Sequence, residues 1–97
     1  MRIAELGRGP GIGHQEAIRT FPDAWVWGVD LSREMLGQSR RRNRAYIASE
    51  RLTLLHGDTA SLADLPPLDL VLAVHVLYFW HQPEVELARI RDALRPG

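Results

Sequence analysis

Ile3-Ala4-Glu5-Leu6-Gly7-Arg8-Gly9-Pro10-Gly11-Ile12-Gly13 is the stretch on which the fold turns. A short apolar run closes on glycines spaced two apart, and a helical pattern starts directly after them. Glycines at this spacing allow a tight turn and let a ligand approach the backbone closely. The helix that follows offers unpaired N–H groups and a partial positive charge at its start.

Three more apolar runs lie downstream: Ala24 to Asp30, Arg51 to His56, and Leu70 to His75. The second and fourth are nearly continuous, the pattern of parallel strands covered on both faces. Trp25 and Trp27 share one face of the second run and read as core. Helical patterns fill the gaps. Gly13 to Phe21 sets Ala17, Ile18 and Phe21 on one side, and Pro22 stops it. Ser32 reads as an N-cap, with Leu31 and Leu36 at the spacing of a hydrophobic staple, and that helix runs to about Ala48. A short helix covers Ser61 to Leu65. Pro83 opens the last one, with Glu84 and Glu86 in its first turn, Arg91 and Arg95 near its end, and Leu87, Ile90 and Leu94 as its apolar stripe. Strands alternating with helices predict an α/β chain, a Rossmann-like doubly wound parallel sheet of about four strands in the order 3-2-1-4. A ligand crevice is then expected between the first and fourth strands, flanked by the glycine loop and His75.

Composition narrows the chemistry. The chain has 97 residues, 45% of them hydrophobic and 25% charged, which fits one globular domain over residues 1–97. Formal net charge is zero, so nothing global steers it toward nucleic acid or an anionic membrane. The absence of cysteine excludes disulfides, thiol nucleophiles and thiolate metal sites. All 12 basic residues are arginine, which excludes Schiff-base chemistry and a lysine-bearing phosphate loop. Arg40, Arg41, Arg42 and Arg44 spread around a helix at steps of ~100° and read as solvated surface rather than a nucleic-acid face. No secretory leader is visible, and the Leu68 to Trp80 run is too short and too interrupted to span a bilayer. A cytoplasmic protein is the expectation. The chain starts on its first strand and stops just after a helix, where a doubly wound sheet would add a strand, so a partial domain is expected.

The glycine spacing also limits the ligand. The dinucleotide fingerprint needs glycines at relative positions one, three and six. Counted from Gly7 the sixth position is Ile12, and from Gly9 it is His14. The loop therefore suits a nucleotide-like ligand without either phosphate signature. Asp30 ends the second run ~20 residues beyond the loop, where an acidic side chain can accept hydrogen bonds from both ribose hydroxyls. Its other reading is an acid at the start of the helix capped by Ser32. Asp58, after the third run, reads equally as acceptor for an adenine amino group or as cap of the short helix beyond it.

In these segments the chain resembles the class I S-adenosylmethionine-dependent methyltransferases of the small-molecule type. Ile3 to Gly11 looks like their first motif, an acid followed by Gly-x-Gly-x-Gly. Val26 to Leu36 looks like their second strand with its ribose-binding acid. Leu54-Leu55-His56-Gly57-Asp58-Thr59 resembles the adenine-binding turn. Leu68 to Leu72 with His75, followed by Leu94-Arg95-Pro96-Gly97, resembles the fourth strand and a later helix stop. The resemblance covers essentially the whole chain.

The resemblance implies S-adenosyl-L-methionine as cofactor and a small-molecule methyl acceptor as partner. It implies that Glu5 orients the methionine amino group and that Gly7 and Gly9 admit the methionine end. Gly11 would turn the loop into its helix. Asp30 would hold the ribose, Leu31 would lie beside the adenine, and Asp58 and Thr59 would meet its amino group and ring. His75 would stand near the sulfonium or the acceptor. Arg8 departs from the pattern, since the family carries a small residue there. The family's further strands and N-terminal helical segment are also not in the sequence.

Because the cofactor brings its own leaving group, methyl transfer asks the protein mainly for positioning. His75 and His81 are the candidate bases for an acceptor that must lose a proton, though His75 also reads as a hydrogen-bonded histidine at a strand end. Leu77 to Trp80 either lines an acceptor pocket or packs under the last helix. Two rival readings remain: a nicotinamide-dependent oxidoreductase domain, against which the glycine spacing counts, and a non-catalytic remnant. In the latter an exposed sheet edge would promote self-association.

Overall fold

A computed structural model of the chain describes residues 1–7, 12–73 and 82–96. Strand β1 (Arg2–Leu6) is followed by helix α1 (Ile12–Thr20) and strand β2 (Trp25–Asp30). Helices α2 (Arg33–Arg42) and α3 (Arg44–Ala48) lead to β3 (Leu52–His56) and a 3-10 helix (Thr59–Asp64). Strand β4 (Leu70–Ala73) and helix α4 (Pro83–Ala93) complete the order. All strand pairs are parallel, and the sheet runs β3-β2-β1-β4, the order expected from the alternating pattern. Among the described residues, no helix is long and apolar enough to cross a membrane.

Alternation along the strands builds two cores. Ile3, Val26 and Leu52 point to one face and pack with Ala17 and Ile18 of α1 and with Ala24. Ala4, Leu6 and Val29 point to the other and pack with Leu62 of the 3-10 helix and Leu68, flanked by Ile90 and Ala93 of α4. Each fully buried aliphatic side chain contributes about 1.5–3 kcal/mol. At the entry end of the strands, the Leu68 N–H donates to Ala93 O (3.0 Å) and the Arg95 N–H to Leu68 O (2.7 Å). Asp69 completes this closure: it accepts from the Arg2 N–H at 2.8 Å and pairs with Arg95 at 3.2 Å. The hydrogen bond from Arg2 is the main reason its carboxyl sits below the usual range.

Several local expectations change. The helix after Ser32 breaks at Asn43. Asn43 leaves helical geometry (φ -115°, ψ 29°), and its buried side chain donates to Ser39 O (3.0 Å) and Ser39 Oγ (3.3 Å). Helix α3 ends in a paired closure, with the Arg51 N–H on Tyr46 O (2.8 Å) and the Glu50 N–H on Ile47 O (3.0 Å). This closure puts Glu50 at φ 63°, a conformation usually left to glycine. Trp27 packs in the second core, but Trp25, the first residue of β2, is exposed. The α4 stripe narrows to Ile90 and Ala93, with Leu87 exposed. The short helix starts earlier than expected, at Thr59, and has 3-10 geometry. Leu31 is exposed rather than stapled over the buried Leu36. Arg40, Arg41, Arg42 and Arg44 are all exposed, as a solvated surface requires.

Candidate functional site

The exit ends of β1, β2 and β3 form a common rim. The Gly7 N–H donates to Val29 O (3.1 Å) and the Gly57 N–H to Asp30 O (2.9 Å). Each bond carries the ladder one residue past its strand. Asp30 is buried at the tip of β2, and its Oδ1 accepts the Ser32 N–H at 2.8 Å. Ser32 in turn accepts the Met35 N–H at 3.2 Å and caps α2. Asp30 thus serves the helix start while standing at the rim. Leu31 beside it is 59% exposed, and its carbonyl is 2.9 Å from His56 Nε2.

Glu5 lies one register step inside the rim, opposite Gly28 on β2. Burial, and then the negative charge of Asp30, push its carboxyl up to about 7. Two acids that share one region in this way favour a cation as ligand, because a cation relieves the repulsion that ionising both would cost. Beyond β3, Asp58 is exposed, and its Oδ1 accepts the Ala60 N–H at 2.9 Å, so it caps the 3-10 helix. The Thr59 hydroxyl is buried against α4, where it donates to Glu86 and accepts from Arg89 Nη1 at 3.1 Å.

Glu5, Gly7 and Asp30 are therefore brought together at adjoining strand ends, with Asp58 at the next. Thr59 is turned toward α4. Gly9, Gly11, Arg8, His75, His81 and the Leu77 to Trp80 run lie outside the described residues.

The sequence reading passed over His14. Its ring is buried between α1, α2 and β2, with Nδ1 2.8 Å from Ser39 Oγ and Nε2 3.7 Å from Glu5 Oε1. Burial pushes it down to about 4, so near neutrality it carries no charge. Gly28 was the available signal, since a glycine inside a strand marks close approach by another group.

Comparison with known proteins matches this arrangement to a methyltransferase-domain family, whose model covers residues 3–97. The chain belongs to the class I S-adenosylmethionine-dependent methyltransferase family. Among curated relatives, this methyltransferase chain is 35% identical over 96 residues to a trans-aconitate 2-methyltransferase of Methylobacterium nodulans. The match takes in 99% of the chain and 35% of that protein. It is 34% identical over 100 residues to a fatty-acid O-methyltransferase of Mycolicibacterium smegmatis, covering 99% of the chain and 34% of that protein. The solved structure of TrmN from Thermus thermophilus superposes with a TM-score of 0.80 at 28% identity, over 100% of the chain and 31% of that structure. The methyltransferase chain thus spans about a third of the length of these relatives.

Proposed function

We propose that this chain is the cofactor-binding portion of a methyltransferase that moves a methyl group from S-adenosyl-L-methionine to a small-molecule acceptor. The observation that carries the reading is the Glu5–Asp30 pair at adjoining strand ends, with Glu5 raised to about 7. Such a pair suits a ligand with a cationic amino group at one end and ribose hydroxyls further along. When bound, that cofactor supplies an electrophilic methyl on a positively charged sulfur.

In this reading, Glu5 faces the methionine amino group, Gly7 and Gly9 admit the methionine end, and Gly11 serves the turn into the helix. Asp30 accepts from the ribose hydroxyls, supported by its anchoring to the Ser32 N–H. Leu31 covers one side of the adenine, supported by its exposure at the rim. Asp58 keeps lone pairs beyond its cap bond and accepts from the adenine amino group. Thr59 flanks the ring through its backbone, its hydroxyl being engaged with α4. His75, outside the described residues, is assigned to the sulfonium or to the acceptor. The relatives are named for carboxylic acceptors, which favours an acidic small molecule.

Calorimetry separates this reading from a nicotinamide-binding one. S-adenosylhomocysteine is expected to bind in the micromolar range and NAD not at all; the reverse result rejects the proposal.

A further inference from the structure

The Glu5 carboxyl has a neighbour that the glycine motif does not account for. His14 is 3% exposed, and four elements build its slot. Helix α1 carries the ring. Helix α2 offers Ser39 Oγ to Nδ1 at 2.8 Å. Strand β2 leaves Gly28 bare, where an added Cβ would come within 2.5 Å of ring atoms Cε1 and Nε2. Strand β1 brings Glu5 Oε1 to 3.7 Å from Nε2.

Counting protons gives the ring a direction. Asn43 Nδ2 donates to Ser39 Oγ at 3.3 Å, so that oxygen already accepts one hydrogen bond. Its own proton can go to His14 Nδ1. A neutral imidazole that accepts at Nδ1 carries its hydrogen on Nε2, the atom on the Glu5 side. We infer that His14 is a positioning residue for Glu5, anchored at Nδ1 by the Ser39 hydroxyl and turning its Nε2–H toward Glu5 Oε1. The inference rests on the reading that Glu5 faces the cofactor's amino group.

At 3.7 Å the contact is longer than a hydrogen bond. Near neutrality Glu5 is partly protonated, and a protonated carboxyl gains little from an N–H donor. Binding of a cation at the strand ends releases the Glu5 proton to solvent. The carboxylate left behind then draws in the Nε2–H. Among the described residues, the charged groups that act on this unit are Glu5 itself on β1 and Asp30 on β2, while α2 presents the neutral Ser39 and Asn43.

Nitrogen-15 NMR of the full chain over about pH 5 to 8 reads the histidine tautomer directly. His14 is expected with its proton on Nε2, and in Ser39→Ala that preference is lost. A proton fixed on Nδ1 overturns the inference. In His14→Leu, which keeps the slot filled, Glu5 should titrate higher and S-adenosylhomocysteine should bind about tenfold more weakly; His14→Gln, which can return an N–H, should recover part of that loss. A folded His14→Leu chain with unchanged Glu5 titration and affinity also overturns it. If the wild-type chain does not bind S-adenosylhomocysteine, the cofactor reading fails, while the tautomer and the Glu5 titration still decide the role of His14.

Discussion

The ring of His14 occupies the space that a side chain would need at Gly28, with 2.5 Å separating an added Cβ from Cε1 and Nε2. The ring cannot swing aside freely, because Ser39 holds its far edge. Gly28→Ala should therefore destabilise the chain by about 1–3 kcal/mol, the usual cost of overpacking. Urea denaturation measures this. In the background of His14→Ala the same substitution should cost much less, and equal costs in both backgrounds would show that the clash is not with His14.

Stability against pH should expose Glu5 and His14 separately. Glu5 titrates at about 7 when folded against 4.5 when unfolded. The folded chain holds its proton longer, so this contribution is present below about 4.5 and lost as pH rises through 7. His14 titrates at about 4 when folded against 6.5 when unfolded. Its contribution is present above 6.5 and lost as pH falls to 4. Between the two limits the slopes oppose each other. Relative to wild type, Glu5→Gln should lose stability on acidification and His14→Gln should lose it on alkalinisation, each by roughly 3 kcal/mol across the window. Parallel curves for the two variants would contradict the assignment.

Asp30 is the second cause of the raised Glu5 carboxyl, after burial. Asp30→Asn removes that charge and keeps the shape. The Glu5 titration, followed by carbon-13 NMR, should move down toward the ordinary range without reaching it, because burial persists. An unchanged midpoint would place Asp30 outside the electrostatic reach of Glu5.

Glu50 closes α3 with φ 63°, where a side chain is strained and glycine is not. Glu50→Gly should stabilise the chain by about 0.5–1 kcal/mol, after allowing for the added freedom of the unfolded chain. A lower melting temperature would show that the Glu50 side chain makes a compensating contact.

Much of this architecture was legible from residue order. The four apolar runs and the helical patterns between them led to the sheet order, and Ser32 and Pro83 marked their helix starts. Asp30 was legible because its distance from the glycine loop is set by one helix and one strand. What was not legible depends on contacts between distant residues. The helix breaks at Asn43, whose side chain turns in to bond Ser39, and nothing in the local pattern predicts that side chain's choice of partner. Glu50 adopts a glycine-like angle because a paired closure demands it. Trp25 looks like core by residue type, yet it stands exposed at the start of β2 while Trp27 two residues on is packed. His14 meets Gly28, Ser39 and Glu5 only after four elements have packed.

We propose that the ends of β1 and β2 hold the adenosyl cofactor through Glu5 and Asp30. The most direct test is calorimetric titration of S-adenosylhomocysteine into the wild-type chain and into Asp30→Ala, with folding of both confirmed by circular dichroism. The expected result is micromolar binding to wild type and a loss of at least about tenfold in the variant, the scale of removing a hydrogen-bonded charged acceptor. Equal affinity for the two chains would contradict the assignment of this crevice.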